Sequence, residues 1–189
     1  MRRTLVAALR LTLVTLVLTG LAYPLAMTGI ARMVFPHCAS GSLVVGRDGR
    51  VVGSELIGQA FHGAAYFQLR PSAAGSGYDA SNSGGSNLAP ASARLLARLR
   101  DEAARLQREN PKVSAPIPVE LLTASASGLD PHISPAAALW QVPRVARARR
   151  LDEAQLRALV VAHVEPRQLG VFGEPRVNVL LLNLALDRK

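Results

Sequence analysis

Cysteine is almost absent from this 189-residue chain: Cys38 stands alone, so no disulfide can form within it, and a lone thiol says nothing of compartment. Aromatic residues make up only 4% of the chain. No arginine-rich block is interleaved with them, so the formal charge of +9 does not read as a nucleic-acid surface. Four of the 22 basic residues flank the N-terminal apolar run, and all 13 acidic residues lie beyond it. The remainder therefore balances 18 bases against 13 acids, or +5. Lysine is nearly missing too, with only Lys112 and Lys189. The four histidines, His37, His62, His132 and His163, lie far apart with no H-x-x-x-H or C-x-x-C spacing, so no metal site is expected.

Charge is missing altogether between Leu11 and Ala31. As a helix this run is about 30 Å long, which matches the hydrocarbon core of a bilayer. A cleaved signal peptide competes with this reading. The run exceeds the roughly 7–15 apolar residues of a signal, however, and no small-x-small site ends it before Arg32. Arg2, Arg3 and Arg10 crowd one flank, while Arg32, Arg47 and Arg50 follow the other. That density favours residues 1–10 in the cytoplasm, a membrane helix over 11–31 and export of 32–189. Within the run, Ala22, Ala26 and Gly29 form a small-residue seam that would let another helix approach closely. Pro24 sits between the two alanines.

Beyond the anchor the pattern is α+β. SLVVGRDGRVVGSE (42–55) predicts a hairpin turning on Gly-Arg-Asp-Gly, and 57–73 is semi-apolar with Phe61, Tyr66 and Phe67. Between Pro71 and Pro90 the chain becomes rich in Ser, Gly and Asn, and an ordered loop is expected. Leu95, Leu99 and Leu106 mark a helix over 91–109, stopped by Asn110-Pro111. APIPVELLTA reads as extended. Ser134 as N-cap and Pro135 at N1 open another helix towards Arg150, which Pro143 should kink or split. Asp152 caps a further helix reaching Glu165-Pro166, with His163 on its apolar face as a satisfied core histidine. The stretch 175–186, PRVNVLLLNLAL, reads as a buried strand. The expected architecture is one membrane helix followed by a single exported domain of mixed helix and strand.

Two stretches invite a chemical reading. SASGLDPHISP (125–135) brings Ser125, Ser127, Asp130 and His132 close together, as an anchored serine hydrolase would need. A triad places its base between nucleophile and acid, and residues so near in sequence, stiffened by Asp130-Pro131, seldom wrap that way. G-x-S-x-G is absent as well. The alternative is a rigid turn, with Ser127-Gly128 at the bend and Asp130 accepting backbone N–H bonds before the helix at Ser134. The second stretch, SGGSN (83–87), could present N–H groups to an anion. It lacks the Lys-Ser/Thr that a phosphate-binding loop requires.

RPSA (70–73), Tyr78, SGGSNL (83–88), SASGLDPHISP, QVPRVARAR (141–149) and GEPRVNVLLLNLALD (173–187) stand in a fixed order, preceded by GQAF at Gly58 to Phe61. In this the whole chain resembles the C subunit of the potassium-transporting Kdp ATPase. It departs at Ala89, where that family usually has glycine, and at Ala126, in a motif often written S-G-S-G. The resemblance implies an accessory subunit without a catalytic site of its own, needed for assembly and activity. Its partners would be a channel-like potassium-selecting subunit, a P-type ATPase subunit and a small single-helix subunit, in the bacterial inner membrane. It also implies a role as catalytic chaperone raising the ATP affinity of the ATPase subunit. Any nucleotide contact would fall on Gln141 in QVPRVA, and no tightly bound cofactor is expected. The signature turn would comprise Ser127, Gly128, Asp130, Pro131 and His132. An exported domain sits awkwardly with cytoplasmic ATP, so the coupling would have to pass through the membrane helices or the orientation be reversed.

Overall fold

The computed structural model describes residues 1–188. It divides into two compact units, Met1–Val52 and a second from Gly53 onward, each described by itself.

The first unit opens with α1 (Arg2–Val17), passes through a π-helical turn (Leu18–Ala22) and continues as α2 (Tyr23–Val34). Together they form one helix of 33 residues, Arg2–Val34, long and apolar enough to cross a membrane. The π-turn has a local cause: Pro24 has no N–H to give to a carbonyl four residues back, and the ladder re-forms with a wider turn. Thr15 and Thr19 return their hydroxyls to the carbonyls of Leu11 (2.9 Å) and Thr15 (2.7 Å), so their polarity is met within the helix. Ala22, Ala26 and Gly29 are exposed, and nothing lies within 4 Å of where a side chain on Gly29 would begin. A short helix α3 (Pro36–Ala39) follows, bearing the exposed Cys38. The predicted hairpin forms from β1 (Leu43–Val45) and β2 (Val51–Ser54), closed by the Gly46 N–H on the Arg50 carbonyl at 2.8 Å.

In the second unit, α4 (Ala93–Glu109) ends at Asn110 as its sequence indicates. The segment after it is irregular apart from a 3₁₀ turn at Val119–Leu121, where an extended run was expected. The helices α5 (Pro135–Arg149) and α6 (Glu153–Ala162) both start where their caps predict. Ser134 Oγ accepts from the Ala137 N–H at 3.1 Å, and Asp152 Oδ2 from the Gln155 N–H at 3.1 Å. Of the kink or split expected at Pro143, the split is not found: α5 is one helix through that position. It is the core of the unit, burying Ala137, Ala138, Trp140, Val142, Val145 and Ala146, and packing on nearly every side outweighs one missing hydrogen bond. Helix α6 stops at Ala162, short of the expected Glu165. His163 caps it half-buried, with Nδ1 2.9 Å from the Leu159 carbonyl.

β3 (His132–Ile133), β4 (Val164–Glu165) and β5 (Arg176–Asn178) form a small antiparallel sheet in the order β3-β5-β4, with His132 opposite Asn178 and Glu165 opposite Arg176. The long strand expected over 175–186 is not found. Only β5 is extended, and Val179–Leu186 is helix α7. Asn178 makes the switch: its Oδ1 caps the Leu181 N–H at 3.2 Å while its amide holds the Glu55 carbonyl at 2.8 Å. An apolar run buried on most sides has no period to separate helix from strand. Val179, Leu180, Leu182 and Leu186 join Phe67, Ile133, Leu156 and Val177 inside the unit. Each such side chain contributes about 1.5–3 kcal/mol on burial.

Candidate functional site

The motifs scattered along the sequence converge on two neighbouring constructions. The first is a knot of backbone around SASGLDPHISP. Ser72 Oγ donates to the Gly128 carbonyl at 2.7 Å and accepts from the N–H groups of Ala74 (3.2 Å) and Tyr78 (2.8 Å). The Ser127 carbonyl accepts from the Gly84 N–H and from Ser83 Oγ, both at 2.9 Å, while the Leu129 carbonyl accepts from the Gly58 N–H at 2.7 Å. Ser125 Oγ closes the bend on the Gly128 N–H at 2.8 Å. Gly128 is needed here: its φ is +68°, and a Cβ would come within 2.7 Å of the Ala74 nitrogen. The Ser/Gly/Asn-rich segment 71–90 is thus tied to the signature turn. The Tyr78 hydroxyl adds a bond to the Arg70 carbonyl at 2.6 Å. Burial, reinforced by Glu102, pushes that phenol up to about 12.

Asp130 and His132 stand on the rim of this knot. The Asp130 carboxylate accepts from the His132 backbone N–H at 3.0 Å, as expected of a turn. The His132 ring lies between two acids, with Nδ1 3.6 Å from Asp130 and Nε2 3.9 Å from Glu165. Arg70 approaches Asp130 at 3.6 Å and Arg176 bonds Glu165 at 2.9 Å, so each of the two carboxylates also faces an arginine. The imidazole, the neighbouring N–H and Arg70 hold the Asp130 carboxyl below the usual carboxylate range. Ser127 Oγ instead accepts from the Leu129 N–H at 3.1 Å. Both ring nitrogens of His132 face carboxylates, so it does not bridge a serine and an acid as a triad base must. Among the described residues, no group of three or more His, Cys, Asp or Glu side chains is placed to hold a metal ion.

The second construction lies deeper. Gln141, on α5, is 1% exposed, and its carboxamide pairs with the backbone of Gln68: Oε1 accepts from the N–H at 2.8 Å and Nε2 donates to the carbonyl at 3.0 Å. Arg144, one turn on and 2% exposed, donates to the same Oε1 at 2.7 Å and to the carbonyls of Gly63 and Ala64 at 3.1 and 3.0 Å. Its Nε faces Glu109 of α4 at 3.9 Å. Burial pulls this guanidinium down to about 10 while Glu109 holds it up. Arg105 joins Glu102, Glu109 and Gln68 on the outer side. Sequence reasoning picked out Gln141 and missed Gln68, Arg144 and Glu109. The available signal was an arginine three residues after a glutamine on one helix face. The carboxamide of Gln141 is thus engaged inside the fold, stitching α5 to the 63–69 segment.

Both constructions draw on the motifs that suggested a family. The family model for the K+-transporting ATPase c chain, KdpC, matches residues 5–188. The chain belongs to the KdpC family. A potassium-transporting ATPase KdpC subunit of Myxococcus xanthus is 59% identical over 98% of this chain and 88% of its own length. Those of Methylobacterium nodulans and Koribacter versatilis are 57% and 54% identical over 99% of this chain, covering 96% and 95% of theirs. Within this family frame, the signature turn is a backbone knot joining segments from 58 to 135, and the seam residues Ala22, Ala26 and Gly29 belong to the first unit.

Proposed function

We propose that the chain is an accessory subunit of a potassium-transporting P-type ATPase, without a catalytic site of its own. The observation that carries this is the family match along nearly the whole chain. In this reading, the helix Arg2–Val34 crosses the bacterial inner membrane with residues 1–10 in the cytoplasm. The domain lies outside, partnered by a channel-like potassium-selecting subunit, the ATPase subunit and a small single-helix subunit. Three charges before the apolar run support that orientation. The seam of Ala22, Ala26 and Gly29 would pack against a partner helix. The placement of His132 between two carboxylates speaks against an anchored hydrolase.

The same reading bears on ATP. A chaperone effect on the affinity of the ATPase subunit would reach the nucleotide through the membrane helices, with no tightly bound cofactor in this chain. The engagement of Gln141 by Gln68 and Arg144 supports that route over direct contact. Two measurements test the proposal. Protease added outside spheroplasts should degrade residues 40–189; protection of the domain would reverse the orientation. Deleting residues 1–32 should abolish high-affinity potassium uptake through failed assembly, and intact uptake would overturn the proposal.

A further inference from the structure

The first unit carries positive charge where its apolar helix begins and has almost no acid to meet it. Within Met1–Val52 the only acidic side chain is Asp48, which faces Arg50 at 3.9 Å. Arg2, Arg3 and Arg10 are exposed, and among the described residues no hydrogen bond or ion pair engages their guanidinium groups. The three do not ring the helix. At 3.6 residues per turn, Arg2, Val6, Arg10, Arg3 and Ala7 fall on one face about 140° wide. Together they line a furrow of about 460 Å³, in which Val6 and Ala7 separate the arginines. Thr4, Leu5 and Ala8 line a different face. From Arg2 to Arg10 the helix rises about 12 Å, enough to cross the polar layer of roughly 5–8 Å on one side of a bilayer. The charge-free run starts at the next residue, Leu11.

We propose that this furrow holds the phosphate of one anionic phospholipid. The proposal rests on the reading of Arg2–Val34 as a membrane-crossing helix. Guanidinium groups meet phosphate oxygens through paired, charge-assisted N–H bonds, and these three have no competing partner. Depth selects a lipid over a soluble anion. The inner end of the furrow is Arg10, and beside it Leu9 and Leu13 are 60% and 51% exposed. A soluble anion would have to leave water for that apolar border, whereas a phospholipid carries its phosphate there and continues as acyl chain along the helix. Charge selects the headgroup. A zwitterionic lipid brings its own ammonium to its phosphate, so three unpaired arginines favour a headgroup with net negative charge. Confinement to one face distinguishes a site from a general attraction: a smeared surface potential is indifferent to the side of the helix on which a charge stands.

The experiment uses the full chain in detergent with equal amounts of phosphatidylglycerol and phosphatidylcholine, and native mass spectrometry reads which lipid stays bound. The wild-type chain should retain phosphatidylglycerol about tenfold or more over phosphatidylcholine. The paired change Ala8→Arg and Arg10→Ala keeps the net charge and the number of arginines before Leu11, but moves the third guanidinium to the other face. It should lower that preference about fivefold, the worth of one basic residue at an anionic surface. Arg32→Gln, near the far end of the helix, should change it less than roughly twofold. An undiminished preference in the relocated pair would overturn the proposal, since charge alone would then suffice. Inorganic phosphate in excess should leave the bound lipid in place; displacement would give the furrow to a soluble anion instead. With the other subunits co-expressed, a benzophenone amino acid at Ala7 should cross-link to phospholipid, and cross-links to a protein subunit alone would also overturn the site. Alkaline extraction of membranes checks the underlying reading separately: release of the wild-type chain would show that the helix does not cross the bilayer.

Discussion

The helix Arg2–Val34 and the domain beyond Gly53 use the same aliphatic residues in opposite ways. In the helix, Leu9, Leu13, Leu16, Leu21 and Ile30 are all more than half exposed, and none of its most apolar 18-residue window is buried. In the domain, Leu156, Leu182 and Leu186 are almost wholly enclosed, and the exposed apolar residues gather in few places, the 167–174 turn foremost. Polar groups are inverted as well. The helix turns the hydroxyls of Thr15 and Thr19 back onto its own backbone, while the domain buries a glutamine and an arginine and must furnish partners for them. The apolar surface of the helix is of the kind that suits hydrocarbon, and that of the domain is of the kind that suits water.

The sharpest way to break this contrast is to remove the buried charge around which the domain arranges its polar groups. Arg144→Ala takes the donor from the Gly63 and Ala64 carbonyls, while Gln141 keeps Gln68 and Glu109 keeps Arg105, and should cost about 3 kcal/mol. Thermal denaturation of the domain would show it, with the helix still inserted. The converse change, Leu21→Arg in the middle of the apolar run, should raise the free energy of insertion by about 2.5–3.5 kcal/mol without altering the domain's melting. A membrane-insertion assay checks that. Gly128→Ala should destabilise the domain by about 2 kcal/mol, since the new methyl meets Ala74 and Gly84 at a left-handed φ. Ser134→Ala removes the cap of α5 and the contact with Glu120, for a loss of about 1 kcal/mol by chemical denaturation.

The smallest effect is on pH. The Asp130 carboxyl titrates lower in the folded state than its ordinary 3.8, so the unfolded chain binds its proton first as acid is added. Its stabilising contribution is therefore present above the usual carboxylate range and lost as pH falls through the depressed value. Melting temperatures followed from pH 6 to pH 3 should fall less steeply in Asp130→Asn. An equal slope would show that His132 and Arg70 do not stabilise the Asp130 carboxylate.

What could be read from the amino acids alone was local. Ser134-Pro135 and Asp152 start their helices because a side-chain oxygen meets an orphan N–H two or three residues on, whatever the rest of the chain does. The charge-free run from Leu11 to Ala31 is legible as a helix long and apolar enough to cross a bilayer. The turn at Asp130 follows from the reach of a short side chain to the next backbone N–H. Tertiary structure decided the rest, and the reason is the same in each case: the energy came from distant partners. Helix α5 passes through Pro143 because α6 and β5 pack against it. Asn178 ends a strand and starts α7 in a run whose hydrophobicity has no period. Gln141, singled out as a possible ligand-binding residue, spends its amide on Gln68, 73 positions away in sequence. Ser127 and His132, neighbours along the chain, are kept from partnering because their nearest hydrogen-bonding groups and charges belong to Leu129, Asp130 and Glu165.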